Sequence, residues 1–246
     1  MSLAFDLLRN EVLKLKRSLA LAVVVAAPIL TTLLYFLVLM RESRTTPLPN
    51  AWGSYTQVVL QLWAFLALPM LVTLLTTLGN QVEHQHGMWK HLFAQPVPRA
   101  LVLLAKASVN LVMMGVATAL LLPLVLGLGR VVHLLKPGLG FGAPFPWLGA
   151  AQGIAKVYAA AWLMLALHQW ISQRWASMAI GLGSGMLGLM GAFVVVNSKT
   201  WGVRYPWSLP LRASQPSSDL PQILALSVGG ALLVWAFAAW DGSRRG

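Results

Sequence analysis

The sequence contains no cysteine, so disulfides, thiolate metal sites and cysteine nucleophiles are excluded. Charge is scarce as well: charged residues make up 10% of the chain, against about 25% in ordinary soluble domains. Only 6 of the 246 residues are acidic. With so little polar surface the chain cannot cover a water-exposed globule, and part of its solvent must be lipid. Two motifs are missing too. Without a Gly-xxxx-Gly-Lys-Ser/Thr loop there is no phosphate cradle, and so no ATPase site of that kind. Without His-Glu-xx-His there is no zinc-hydrolase helix, and no metal site is expected. His84 and His86 would sit about 200° apart on a helix, which prevents them from clamping one ion.

Apolar residues, by contrast, make up 58% of the chain. They fall into six runs, each near the roughly 20 residues of helix that cross a hydrocarbon core of about 30 Å. The predicted spans cover 19–40 (with Pro28 inside), 56–79, 100–129, 148–172, 176–196 and 222–240. The fold class is therefore all-α, a polytopic membrane protein. Residues 1–18 form an N-terminal helix, and 19–241 form the six-helix transmembrane domain. A polar loop at 80–99, a Gly/Pro/aromatic loop at 130–147 and an outer loop at 197–221 interrupt it. No room is left for a soluble catalytic domain, and the first apolar run is too long for a cleavable signal.

Lysine and arginine number 18, for a net charge of +12. In a soluble protein that balance would point to nucleic acid. Here the basic residues are spread over loops between spans, where they serve as topology signals and headgroup contacts, and no nucleic-acid partner is expected. The cluster Arg9, Lys14, Lys16 and Arg17 weighs most, and places both termini and the 80–99 loop in the cytoplasm. Phe5, Leu8, Val12, Leu15 and Leu19 recur at helical spacing, with Asp6, Arg9, Asn10, Lys16 and Arg17 mostly opposite. That pattern describes an amphipathic helix lying in the membrane interface, or a simple basic anchor for the first span. Trp147, Trp170, Trp175, Trp201, Trp207 and Trp240 fall near span ends, as interfacial aromatics do. Trp201, Tyr205 and Trp207 could also line an exit gate, although interfacial anchoring is the commoner use of such aromatics. Lys156 is a charge inside a span, which either snorkels to the outer interface or lines a cavity.

The fifth span is dense in glycine. Gly181 and Gly185 form a small-xxx-small pair, and Gly188 continues a stripe from Ser184 to Ala192. Such stripes let helices approach closely in lipid. Gly183-Ser184-Gly185 also admits an intramembrane enzyme such as a serine protease. A serine hydrolase needs a base, however, and His168 is the only histidine inside a predicted span.

The most informative segment links the second and third spans. Met88, Trp89, Leu92 and Phe93 would share one face of a short helix that Pro96 ends. Glu83 suits the positive end of that helix. A helix that is greasy on one side and polar on the other fits a partner's groove, or rests on lipid.

Glu83, Gly87, Leu92, Pro96, Arg99 and Lys106 match the spacing of a segment in type-2 ABC exporter permeases, which this chain resembles. That family reads Glu-xxx-Gly-Thr, a leucine, Pro-xx-Arg and a lysine entering the third span. Met88 departs from it where threonine is usual. The resemblance covers the whole chain in layout and residues 83–106 in motif. It implies a coupling helix that meets a separate ABC ATPase subunit, through Glu83, Gly87, Trp89, Leu92, Phe93, Pro96 and Arg99. It implies two ATPase copies carrying ATP and magnesium, and a second permease, identical or related. By size and pattern the chain is similar to small antibiotic and lantibiotic self-immunity permeases of the bacterial inner membrane.

Overall fold

The computed structural model describes residues 3–16, 19–42, 46–85, 99–175, 177–216 and 218–243. Among these residues the regular structure is entirely helical. The order is α1 (Leu3–Lys16), α2 (Ala20–Arg41), α3 (Ala51–Leu62), a π-helical turn (Trp63–Ala67) and α4 (Leu68–Gln85). There follow α5 (Arg99–Ala119), α6 (Leu121–Leu135), α7 (Trp147–Ala160), α8 (Trp162–Arg174), α9 (Met178–Val195), α10 (Leu209–Ser214) and α11 (Leu220–Ser243). Six stretches of the described residues are long and apolar enough to cross a membrane: Ala20–Arg41, Ala51–Gln81, Leu101–Leu135, Trp147–Arg174, Met178–Val195 and Leu220–Asp241. They are spans 1 to 6 below, and the all-α polytopic fold follows from them.

Two spans outrun their apolar runs. Span 2 starts at Ala51, where the left-handed Asn50 caps it by accepting from the Gly53 amide at 3.2 Å. Span 3 continues past Gly129 to Leu135. Arg130 does not end it, because its guanidinium lies 5.8 Å from the centre of the Trp52 ring, a cation–π contact that keeps the charge satisfied on a helix. His133 therefore also belongs to a span.

Span 2 is the centre of the bundle. Its apolar window is 56% buried, against 28% for span 1 and 22% for span 6. Trp52, Tyr55, Trp63, Leu68, Leu71 and Leu75, all from this span, are among the largest fully buried side chains. Pro69 shapes it. Proline lacks an N–H and crowds the carbonyl four residues back. The helix accommodates this by widening over Trp63–Ala67, where the Leu68 amide reaches the Trp63 carbonyl, five residues back.

The end of the bundle remote from α1 is closed by specific contacts. Lys136 Nζ donates to the carbonyls of Leu39 (3.1 Å), Met40 (2.7 Å) and Glu42 (2.6 Å), capping the C-terminus of span 1. Trp52 Nε1 donates to Ala143 O at 2.9 Å, tying the 136–146 connection to span 2. Of the expected interfacial tryptophans, Trp147, Trp175, Trp201 and Trp240 are exposed. Trp207 is buried, for a reason that belongs to the site below.

Candidate functional site

The connection between spans 2 and 3 leaves the bundle at Gln85 and rejoins it at Arg99. Gly87, Trp89, Leu92, Phe93 and Pro96 lie outside the described residues. Glu83 is described in backbone only, in the last turn of α4, and Arg99 likewise at the start of α5. The frame that holds this connection is described, and it is polar. Asn80 Nδ2 donates to Ser172 Oγ at 2.7 Å and to Thr76 O at 2.9 Å, joining span 2 to span 4. Gln169 Nε2 donates to Leu103 O at 3.3 Å, joining span 4 to span 3. Trp170 Nε1 donates to Asp241 Oδ2 at 3.3 Å, joining span 4 to span 6. Lys106 pairs with Glu11 at 3.1 Å, joining span 3 to α1. Four spans and the N-terminal helix thus share one hydrogen-bonded collar at the mouth of the 86–98 connection.

Nearer the middle of the bundle, spans 2 and 5 meet through the glycine stripe. A methyl group on Gly181 would collide with Thr77, and one on Gly185 with Thr73. The absent side chains let the two helices touch, as small-residue stripes do in lipid. Beside this contact lies a cleft of about 180 Å³, lined by Pro69, Met70, Thr73, Leu182, Met186 and Leu189 among others. Its walls are almost wholly apolar, and Met70 and Met186 are exposed at its rim, so it opens sideways toward lipid.

The 197–221 segment, expected as an outer loop, turns inward. Gly188, about 10 Å down α9 from Val195, packs directly on the Trp207 indole. Trp207 Nε1 donates to His168 Nε2 at 3.2 Å, in a T-shaped ring contact. Tyr205 donates its hydroxyl to the Gly188 carbonyl at 2.9 Å. The chain then climbs through α10, whose Ser214 carbonyl accepts from Gln57 Nε2 of span 2 at 2.8 Å. Backbone groups at such depth need internal partners. The segment supplies them: Ser208 Oγ lies 2.7 Å from Gly202 O and 2.9 Å from Tyr205 O. An indole N–H only donates, so His168 Nε2 accepts and the imidazole proton sits on Nδ1, which has no hydrogen-bond partner among the described residues. Thr73, on the wall of the cleft, lies 3.5 Å from the same Nε2. His168 therefore connects the cleft to the re-entrant segment.

Ser184 donates its hydroxyl to Gly181 O at 2.9 Å, within its own helix, and nothing here supports a serine protease. The histidine it would need is held by Trp207.

A bundle of six apolar spans defines a multi-pass membrane protein. A family model described as ABC-2 family transporter protein matches residues 7–188, and the chain belongs to that family. Membership implies partnership with an ABC ATPase subunit. A comparison with curated proteins gave no match.

The glycine stripe and the six spans are marked by sequence pattern, and Lys106 by the family resemblance. The cleft, the re-entrant segment and the His168–Trp207 bond were not. The available signals were Pro69 within an apolar run and a tryptophan-rich stretch facing a glycine-rich helix.

Proposed function

We propose that this permease exports a hydrophobic or amphipathic substrate, such as a peptide, an antibiotic or a lipid-like molecule, using ATP hydrolysed with magnesium by a separate ATPase. The chain itself carries no ATPase site in this reading. Two ATPase copies act on two permeases, identical or related, in a bacterial cytoplasmic membrane with both termini in the cytoplasm. Self-immunity to an antibiotic is the physiological role that the small size suits.

The observation that carries this reading is the continuity of α4. One helix bears Thr73 on the wall of the cleft and ends at Gln85, where the 86–98 connection begins. Twelve residues separate the two, about 18 Å along the axis. An ATPase that grips Trp89, Leu92 and Phe93, with Glu83, Gly87, Pro96 and Arg99 framing the contact, displaces the stem of α4. The rigid helix carries that displacement to the cleft, where the π turn above Pro69 provides the compliant point. The apolar lining suits a greasy substrate entering from the membrane.

The test is to replace Trp89 or Phe93 with aspartate, purify the chain with its ATPase, and measure co-elution and stimulated hydrolysis. Loss of both is expected. Normal assembly with normal stimulation removes the docking role.

A further inference from the structure

The cleft between spans 2 and 5 has a rim that an apolar wall alone does not require. Its two exposed lining residues are both methionine: Met70 of span 2, 43% exposed, and Met186 of span 5, 59% exposed. Met190 follows one turn after Met186 and is exposed as well. On span 1 the task of facing lipid falls to Val25, Ile29, Leu30, Leu34 and Leu37. Lipid tails are as apolar as leucine and gain nothing from sulfur. A thioether adds two other properties. Its unbranched chain moulds to an irregular guest, and its polarisable sulfur attracts aromatic rings.

Aromatic contacts already mark this seam. Phe65 of span 2 and Phe193 of span 5 meet edge to face, with ring centres 4.5 Å apart. Phe193 lies seven residues beyond Met186, on the same side of α9 and about 10 Å along it. It is 60% exposed, so a ring moving along the seam from lipid passes an aromatic surface before it reaches the methionines.

Size and charge narrow the occupant. A space of about 180 Å³ is smaller than the roughly 300–1,000 Å³ that a whole drug-sized ligand needs. It is close to the cavity of about 150 Å³ that holds benzene. None of the lining residues is ionisable. Thr73, the polar side chain among them, donates its hydroxyl to Pro69 O at 2.8 Å and so offers no proton to an anion. An acyl chain would fit the volume, but the two sulfurs would add nothing to its binding.

The geometry points to a subsite for one uncharged aromatic ring of the substrate, entering from the membrane and held between the thioethers of Met70 and Met186. The inference rests on the cleft being part of the substrate path. Ring-bearing amphipaths are then favoured over those that carry only alkyl tails.

The test uses the full chain with methyl-labelled methionine in nanodiscs, without ATPase or nucleotide. Toluene and methylcyclohexane are titrated at equal membrane concentration and followed by methyl NMR. The two differ little in size, and only toluene is aromatic. Toluene should shift the Met70 and Met186 methyls saturably, and about fivefold more tightly than methylcyclohexane. Met114, buried in the core, should not move. Met70→Leu and Met186→Leu keep the volume and assign the two signals. Each should lower the preference for toluene about twofold, read at the methionine that remains. Equal affinity for the two hydrocarbons overturns the inference, as does the absence of a saturable shift at both methyls or a preference that neither variant alters. These outcomes do not depend on coupling to an ATPase. Toluene binding as described, with transport indifferent to Leu182→Trp, would instead overturn the cleft's place in the substrate path and leave a ring site with no part in export.

Discussion

Trp207 donates its indole N–H to Nε2 of His168 across 3.2 Å, pinning the segment after span 5 to span 4 deep within the bundle. Both side chains are buried, so neither can exchange this bond for one to water. Trp207→Phe keeps most of the ring and removes the donor. It should cost about 1–3 kcal/mol, the penalty of an orphaned buried acceptor. Thermal unfolding of the purified chain reads the loss. Adding His168→Leu should cost less than the two single changes together, because the second removes the group that the first left unsatisfied.

The glycine stripe gives a paired comparison. A Cβ on Gly185 meets the Thr73 side chain, whereas one on Gly183 meets nothing within contact range. Gly185→Ala should destabilise by about 1–3 kcal/mol through overpacking. Gly183→Ala should stay within about 0.5 kcal/mol of the parent. Equal effects would mean that spans 2 and 5 do not touch along this stripe.

At the collar, Lys106→Met removes a charge-assisted hydrogen bond to Glu11. It should loosen α1 by about 1.5–3 kcal/mol. Hydrogen exchange of the amides in 3–16 would quicken accordingly. The exchanged pair Glu11→Lys with Lys106→Glu should restore most of the protection, which a purely steric role for Lys106 does not predict.

The cleft can be filled without touching the collar. Leu182→Trp adds bulk to a space of about 180 Å³. Substrate binding should weaken by about tenfold or more, which is about 1.4 kcal/mol. Co-purification with the ATPase should be unchanged. Unaltered transport would remove the cleft from the substrate path.

Much of this architecture is legible in the sequence because lipid imposes a strong rule: apolar runs of helical length become spans. The rule fails where charge or polarity finds a partner distant in the chain. Arg130 looks like the end of span 3, yet it packs over Trp52, 78 positions earlier in the chain. Residues 197–214 look like an outer loop, since serine, glycine and proline interrupt any apolar period. Their inward turn depends on partners such as His168, Gly188 and Gln57 that no local pattern identifies. The stripe at Gly181, Gly185 and Gly188 was readable as a packing face, but its opposing residues, Thr77, Thr73 and Trp207, were not.

In the proposed mechanism, movement passes along span 2 from the 86–98 connection to the cleft. Spin labels at Met70→Cys and Met186→Cys, on facing walls of the cleft, report its width in the complex with the ATPase. ATP binding should change the label separation, and Trp89→Asp should abolish the change while the chain stays folded. An ATP-driven change that persists with Trp89→Asp, or a cleft that never changes width, would rule out this coupling through span 2.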